Sequence, residues 1–189
     1  MPNTSTDAHN PGGKVLLPLP IWVRGAAVFG GANQEYRYEL SRTWDDALST
    51  LLFVMMNPST ASPAFDDPTV AKCRRYAEDW GFGTLLVGNT CAYRATSQKR
   101  LTEIADPVGP DNDAHLLSMA ERAAMIVFAY GQPHKSLRYR GLQVARLLSR
   151  QGARPLHALR LALDGTPCHP LYLPRSLKPV QWTPFEAMQ

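Results

Sequence analysis

Cysteine is scarce in this chain: Cys73, Cys91 and Cys168 are odd in number and far apart. That usage suits free thiols and supplies neither a disulfide framework nor a zinc spacing. No cofactor or metal is expected. Long apolar runs are missing as well, since no stretch approaches the roughly 20 residues that cross a bilayer. The first residues, Asn, Thr, Asp and His ahead of Pro11-Gly12-Gly13, lack the charged-then-apolar layout of a signal peptide. The expectation is a cytoplasmic protein with no membrane partner. Acids are nearly absent from one long segment. Between His134 and Lys178 stand Lys135, Arg138, Arg140, Arg146, Arg150, Arg154, Arg160, Arg175 and Lys178 against Asp164 alone, a local charge of +8 in a chain whose net charge is +4. Such a block suits nucleic acid, with Arg138 and Arg140 as first choices for phosphate contact, and suits a solvated basic face equally.

What the chain does have is enough apolar sequence for one core. Its 189 residues, 44% hydrophobic and 19% charged, predict a single α/β domain over 21–178. A flexible N-terminal tail over 1–20, rich in Pro, Gly, Asn and Thr, and a C-terminal tail over 179–189 flank it. The domain is organised around Leu51-Leu52-Phe53-Val54-Met55-Met56-Asn57-Pro58-Ser59-Thr60-Ala61. Six apolar residues ended by Asn-Pro are too few for an independent helix and read as a strand buried on both faces of a sheet. In open α/β sheets ligands bind where strands deliver their carboxyl ends, so the polar turn from Asn57 is a candidate site.

Upstream, Arg24 to Phe29, the turn Gly30-Gly31-Ala32-Asn33 and Tyr36 to Trp44 read as a β-hairpin flanking the sheet, because Tyr36, Tyr38 and Leu40 alternate with charged neighbours. Downstream, Asp67 before Pro68 is a helix start: the carboxylate accepts orphan amide hydrogens, and proline has none to offer. Val70, Cys73, Ala77 and Trp80 share one face of that helix, which exits at Gly81. A second buried strand, Thr84 to Gly88, ends on Asn89-Thr90 and opens into a long polar segment, Tyr93 to Asp113, of a length that usually carries or covers a function. Asp111 caps a helix through Met119, a third strand runs Met125 to Tyr130, Leu137 to Ser149 forms a helix and Leu156 to Leu163 a fourth strand. The alternation predicts a three-layer α/β fold with a central, mainly parallel four-stranded sheet, plus the N-terminal hairpin.

Five blocks in order carry a resemblance: Met56-Asn57-Pro58-Ser59-Thr60-Ala61, Asp66-Asp67-Pro68-Thr69, Asn89 with Tyr93-Arg94-Ala95-Thr96, Gly109-Pro110-Asp111-Asn112-Asp113, and His169-Pro170-Leu171-Tyr172-Leu173. Over roughly Tyr36 to Pro174 the chain resembles a bacterial and phage family known as domain of unknown function 1643, whose name implies no reaction. The order of strand ends is also similar to that of the uracil-DNA glycosylase superfamily, in which a four-stranded parallel sheet carries the site at its carboxyl ends. Met55-Met56-Asn57-Pro58 resembles the Gly-x-Asn-Pro motif there, without its Gly. That resemblance implies that Asn57 positions the attacking water and Asn89 reads the amide edge of a base. It also matches Tyr130-Gly131 to an aromatic-Gly pair and His169-Pro170 to the His-Pro of the last block. Met55, Ser59 and the Asp66-Asp67-Pro68-Thr69 block depart from the superfamily pattern.

Breaking an N-glycosidic bond builds negative charge on the departing base, and a histidine donating to that base lowers the barrier. A base turned out of its stack needs an amide to pair with and a ring to stack on. Catalytic candidates are therefore Asn57, His169 and Asp67, and substrate-binding candidates are Ser59, Thr60, Phe65, Asp66, Asn89, Arg94, Asn112, Gly131 and Tyr172. Each has a plainer alternative: Asn57 and Asn89 as turn residues, Asp66-Asp67 as a helix cap with one carboxylate left over, His169 as a structural residue before proline. The expectation is a protein acting on nucleic acid or a nucleotide, as a base N-glycosylase-like hydrolase. The alternatives are an enzyme on a small phosphorylated metabolite, held by Ser59, Thr60 and Arg94, and a non-catalytic nucleotide-binding or nucleic-acid-binding module of phage or defence systems.

Overall fold

The computed structural model describes residue 12 and residues 15–150 and 155–184. In chain order the elements are β1 (Leu17–Pro18), β2 (Arg24–Gly30), β3 (Tyr36–Thr43), β4 (Thr50–Met55), β5 (Phe65–Asp66), α1 (Pro68–Asp79), β6 (Thr84–Asn89), α2 (Gln98–Glu103), α3 (Asn112–Arg122), β7 (Met125–Phe128), α4 (Arg138–Arg150), β8 (Leu156–Ala158) and β9 (Val180–Gln181). Single 3₁₀ turns occupy Lys135–Leu137 and Pro170–Tyr172.

One mixed sheet of seven strands runs in the order β2-β3-β6-β4-β7-β8-β9. Its inner strands β6, β4, β7 and β8 are mutually parallel, and the flanking pairs are antiparallel. Side chains alternate along β4: Leu51, Phe53 and Met55 pack with Val70, Cys73 and Tyr76 of α1, while Leu52 and Val54 pack with Leu116 and Met119 of α3 and Val144 of α4. Helices thus cover both faces of a strand whose Leu51 to Val54 are fully buried, as a continuous apolar run requires.

The expectation of a four-stranded sheet with a separate hairpin is corrected. β3 pairs with β6, Leu40 opposite Val87, because an uncovered β6 would leave a row of unpaired backbone groups. Val180–Gln181, read as tail, covers β8 on the other side, and Trp182 is buried against Phe128 with ring centroids 4.9 Å apart. The tail over 1–20 falls largely outside the described residues, yet Leu17–Pro18 pairs with Phe65–Asp66. The fourth strand is shorter than expected: after Ala158 the chain turns at Gly165 (φ +77°) and Leu161 bridges back to Pro167. Residues 98–103, read as part of a polar connection, form α2, capped by the Ser97 hydroxyl.

Asp67 caps α1 as expected, its carboxylate accepting from the Thr69 and Val70 amides at 2.9 Å each. Asp111 stands at the start of α3 but makes no side-chain cap bond. No helix among the described residues is long and apolar enough to cross a membrane.

Candidate functional site

The parallel register sets Met55 opposite Asn89 and Val54 opposite both Gly88 and Phe128, so β4, β6 and β7 release their chains at one level. A cavity of about 570 Å³ opens there, within the rough 300–1,000 Å³ range of small-molecule sites. Its wall includes Asn57 and Ser59 after β4, Asp67 before α1, Asn89 at the end of β6, Tyr130 and Gly131 after β7, and His169 and Tyr172 from the segment after β8.

Backbone bonds fix the turn after β4. Thr90 N and Cys91 N donate to Met55 O and Met56 O at 2.8 and 2.9 Å, and Ala95 N donates to Pro58 O at 2.9 Å. Asn57 Nδ2 donates to Pro58 O and Ala95 O at 2.9 and 2.7 Å. Both amide hydrogens are then spent, which leaves Oδ1 as the group able to accept from a ligand or water. Asn89 is the reverse case. It is 1% exposed, and its Nδ2 is buried without a hydrogen-bond partner among the described residues. Ser59 Oγ is likewise buried and unpartnered.

His169 Nδ1 accepts from the Leu171 amide at 3.3 Å, so a neutral imidazole carries its hydrogen on Nε2. The segment around it is held by α1: Lys72 Nζ donates to Leu171 O and Leu173 O, Tyr76 Oη to Pro174 O at 2.7 Å, and Trp80 Nε1 to Leu177 O at 3.2 Å. These donors stand four residues apart and share one helix face. Gly131 (φ +70°) donates its amide to Pro167 O at 2.9 Å, and a Cβ there would sit 3.0 Å from His169 Cβ. Gly131→Ala is therefore expected to cost about 1–2 kcal/mol through its left-handed backbone and to displace the imidazole. Thermal melting and the His169 ring resonances check this, and unchanged values for both would show that the two residues do not press on each other.

Other candidates lie outside the cavity wall. Asp66 is 1% exposed and receives Arg42 Nε at 2.8 Å and Arg74 Nε at 3.3 Å, so its carboxylate is spent on structure. The two neighbouring acids thus divide differently from expectation: Asp67 both caps α1 and lines the cavity. Phe65 pairs with Pro18 and is exposed. The Thr60 hydroxyl is buried without a hydrogen-bond partner among the described residues, and Thr60 is not part of the cavity wall. Arg94 donates to Gln34 O at 2.9 Å and lies over the Phe29 ring at 5.1 Å. Asn112, fully buried, donates to Asn89 O at 2.9 Å and to Thr90 O at 3.3 Å, so it supports the Asn89 backbone from outside.

The basic block is also dispersed. Arg140 is buried, donating to Thr90 O at 2.7 Å and pairing with Asp113; it holds the strand end rather than a phosphate on the surface. Arg175 pairs with Asp79 at 2.5 Å, Arg160 joins the cavity rim, and Arg154 lies outside the described residues.

One wall residue went unread in the sequence. Arg37 is 2% exposed, its Nη1 donates to Ala61 O at 2.6 Å, and its Nε is buried without a hydrogen-bond partner among the described residues. Burial pulls its pKa down to about 10, against the nearby charge of Asp67. Burial also pushes Tyr130 up to about 12, with Asp164 adding to it. Among the described residues no group of three or more His, Cys, Asp or Glu stands together to hold a metal ion.

Fold and site define a mixed α/β domain with a ligand-sized cleft at the carboxyl ends of its parallel strands. Residues 37–171 match the family described as protein of unknown function (DUF1643), and the chain belongs to it. No curated protein and no solved structure matches the chain.

Proposed function

We propose that the cavity receives a nucleobase, either in a nucleotide or turned out of a strand, and that the protein hydrolyses the bond joining that base to its sugar. The observation that carries this reading is Asn89. A buried amide donor with no partner costs about 1–3 kcal/mol, and a base carbonyl entering the cavity would satisfy it. The same cavity wall carries side chains that suit such a reaction. Asn57 Oδ1 is free to accept from a water, since its Nδ2 is committed to two carbonyls. Attack by that water at the sugar carbon transfers the glycosidic electron pair to the base, and the proton the water sheds ends on the departing base, leaving a sugar hydroxyl and the free base. The hydrogen on His169 Nε2 meets that growing negative charge. Tyr172, 84% exposed at the rim with its ring 6.1 Å from that of His169, offers a face on which the base stacks. The similarity to the uracil-DNA glycosylase superfamily, whose site also lies at the carboxyl ends of parallel strands, supports the same reading.

Base release from oligonucleotides and nucleotides carrying uracil, damaged or phage-modified bases tests it. Release of one base class by wild type is the expected result. No release across the panel removes the hydrolytic reaction, and binding without release would favour a recognition module. Strand binding is expected to weaken steeply with salt, whereas a free nucleotide would be held with little salt dependence.

A further inference from the structure

Four arginines are buried among the described residues, Arg37, Arg42, Arg74 and Arg140. Buried cations are normally paired, and three of these are. Arg42 meets Asp66, Arg74 meets Asp66 and Glu78, and Arg140 meets Asp113. Arg37 forms no ion pair among the described residues. A hydrogen bond from its Nη1 to Ala61 O places the guanidinium beside the turn that carries Ser59. Asp67 acts on Arg37 through space, and Arg42 and Arg94 act against it with like charge. Asp67 Oδ1 is already taken by the first amides of α1. Two buried donors on the same cavity wall, Arg37 Nε and Ser59 Oγ, have no hydrogen-bond partner among the described residues.

We propose that Arg37 and Ser59 form an oxyanion subsite in the cavity, which takes a phosphate or carboxylate group of the ligand. A guanidinium presents its hydrogens as a planar fork matched to the two oxygens of such a group, and a hydroxyl completes the contact. The anion would give a direct partner to a charge that Asp67 offsets only through space. This makes the preferred ligand a small anionic molecule, such as a nucleoside monophosphate, rather than a neutral base or nucleoside. The subsite shares with the proposed function only the use of the cavity, so base release and anion binding fail or succeed separately.

The test titrates the full chain with inorganic phosphate, acetate, a nucleoside 5′-monophosphate and the matching nucleoside at constant ionic strength, by calorimetry and thermal melting. The monophosphate is expected to bind roughly tenfold to a hundredfold tighter than the nucleoside. The phosphate and acetate arms show which oxyanion is taken. Arg37→Met is expected to erase that preference and to raise the melting temperature of the ligand-free protein, since an unpaired buried charge is replaced by an apolar side chain of similar length. A purely structural arginine gives the opposite: lower melting and an intact preference. Should Arg37→Met fail to fold, the wild-type preference and its loss in Ser59→Ala decide the matter. A wild type that binds none of the anions, or binds nucleoside and monophosphate equally, overturns the proposal.

Discussion

Asp66→Ala is expected to lower stability by about 3–5 kcal/mol, a drop in melting temperature of roughly 10 °C for a domain of this size. The carboxylate receives Arg42 at 2.8 Å and Arg74 at 3.3 Å, with the Asp66 and Arg42 side chains 2% and 0% exposed. Removing it strands the Arg42 charge where water cannot reach it. Arg42 also donates to Ser62 O at 2.7 Å and Phe65 O at 3.0 Å, so the same centre holds the segment leading from the site turn to the α1 cap. Arg42→Met and Asp66→Ala should combine to less than the sum of their separate losses, because both break one network. Had Asp66 been a substrate ligand, the variant would melt like wild type and lose binding instead. Chemical and thermal denaturation decide between them, and a change of less than about 1 kcal/mol would sink the structural assignment.

The parallel inner strands were legible because a continuous apolar run fits only a strand covered on both faces, and Leu51 to Met56 is such a run. The α1 start was legible because Asp67-Pro68 has one physical use. From these, the cavity wall at Asn57, Asn89 and Gly131 followed, since each of the three stands at or just past a strand end; His169 was reached through the His-Pro resemblance instead, because the strand before it stops at Ala158. The rest depended on pairings that no local pattern encodes. Val180–Gln181 is a strand only because β8 leaves an edge beside it. Arg37 was hidden by a register slip. Val28 faces Glu39 and Phe29 faces Arg37, so Tyr38 is an extra residue in β3. Strict alternation puts Arg37 opposite Leu40. The bulge turns it onto the α1 side with Leu40, where it meets the cavity. A charged residue flanked by Tyr36 and Tyr38 was the signal available, and alternation assigned it to solvent. The basic segment shows a related limit, because charge counted along the chain says nothing of which cation enters the core, as Arg140 does.

If the protein releases a base as proposed, His169→Ala should slow that release by roughly 10²-fold or more while leaving substrate affinity nearly unchanged, because the lost contact would form as charge develops on the departing base. The geometry makes the effect specific to Nε2. Nδ1 is occupied by the Leu171 amide at 3.3 Å, and Lys72 and Tyr76 hold the segment that carries the ring, so the imidazole is oriented before any ligand arrives. Asn57→Ala should also lower the rate, through the water its Oδ1 positions. Both side chains are half-buried, so each single variant is expected to melt within a few degrees of wild type. Acting at one transition state, the two losses should not multiply: the double variant should retain more activity than the product of the single effects. Two unrelated packing defects would multiply in rate and add in lost stability. Single-turnover base release with folded wild type, single and double variants measures this directly. A His169→Ala protein that releases base at the wild-type rate would remove the histidine from the reaction and leave it as a wall of the cavity.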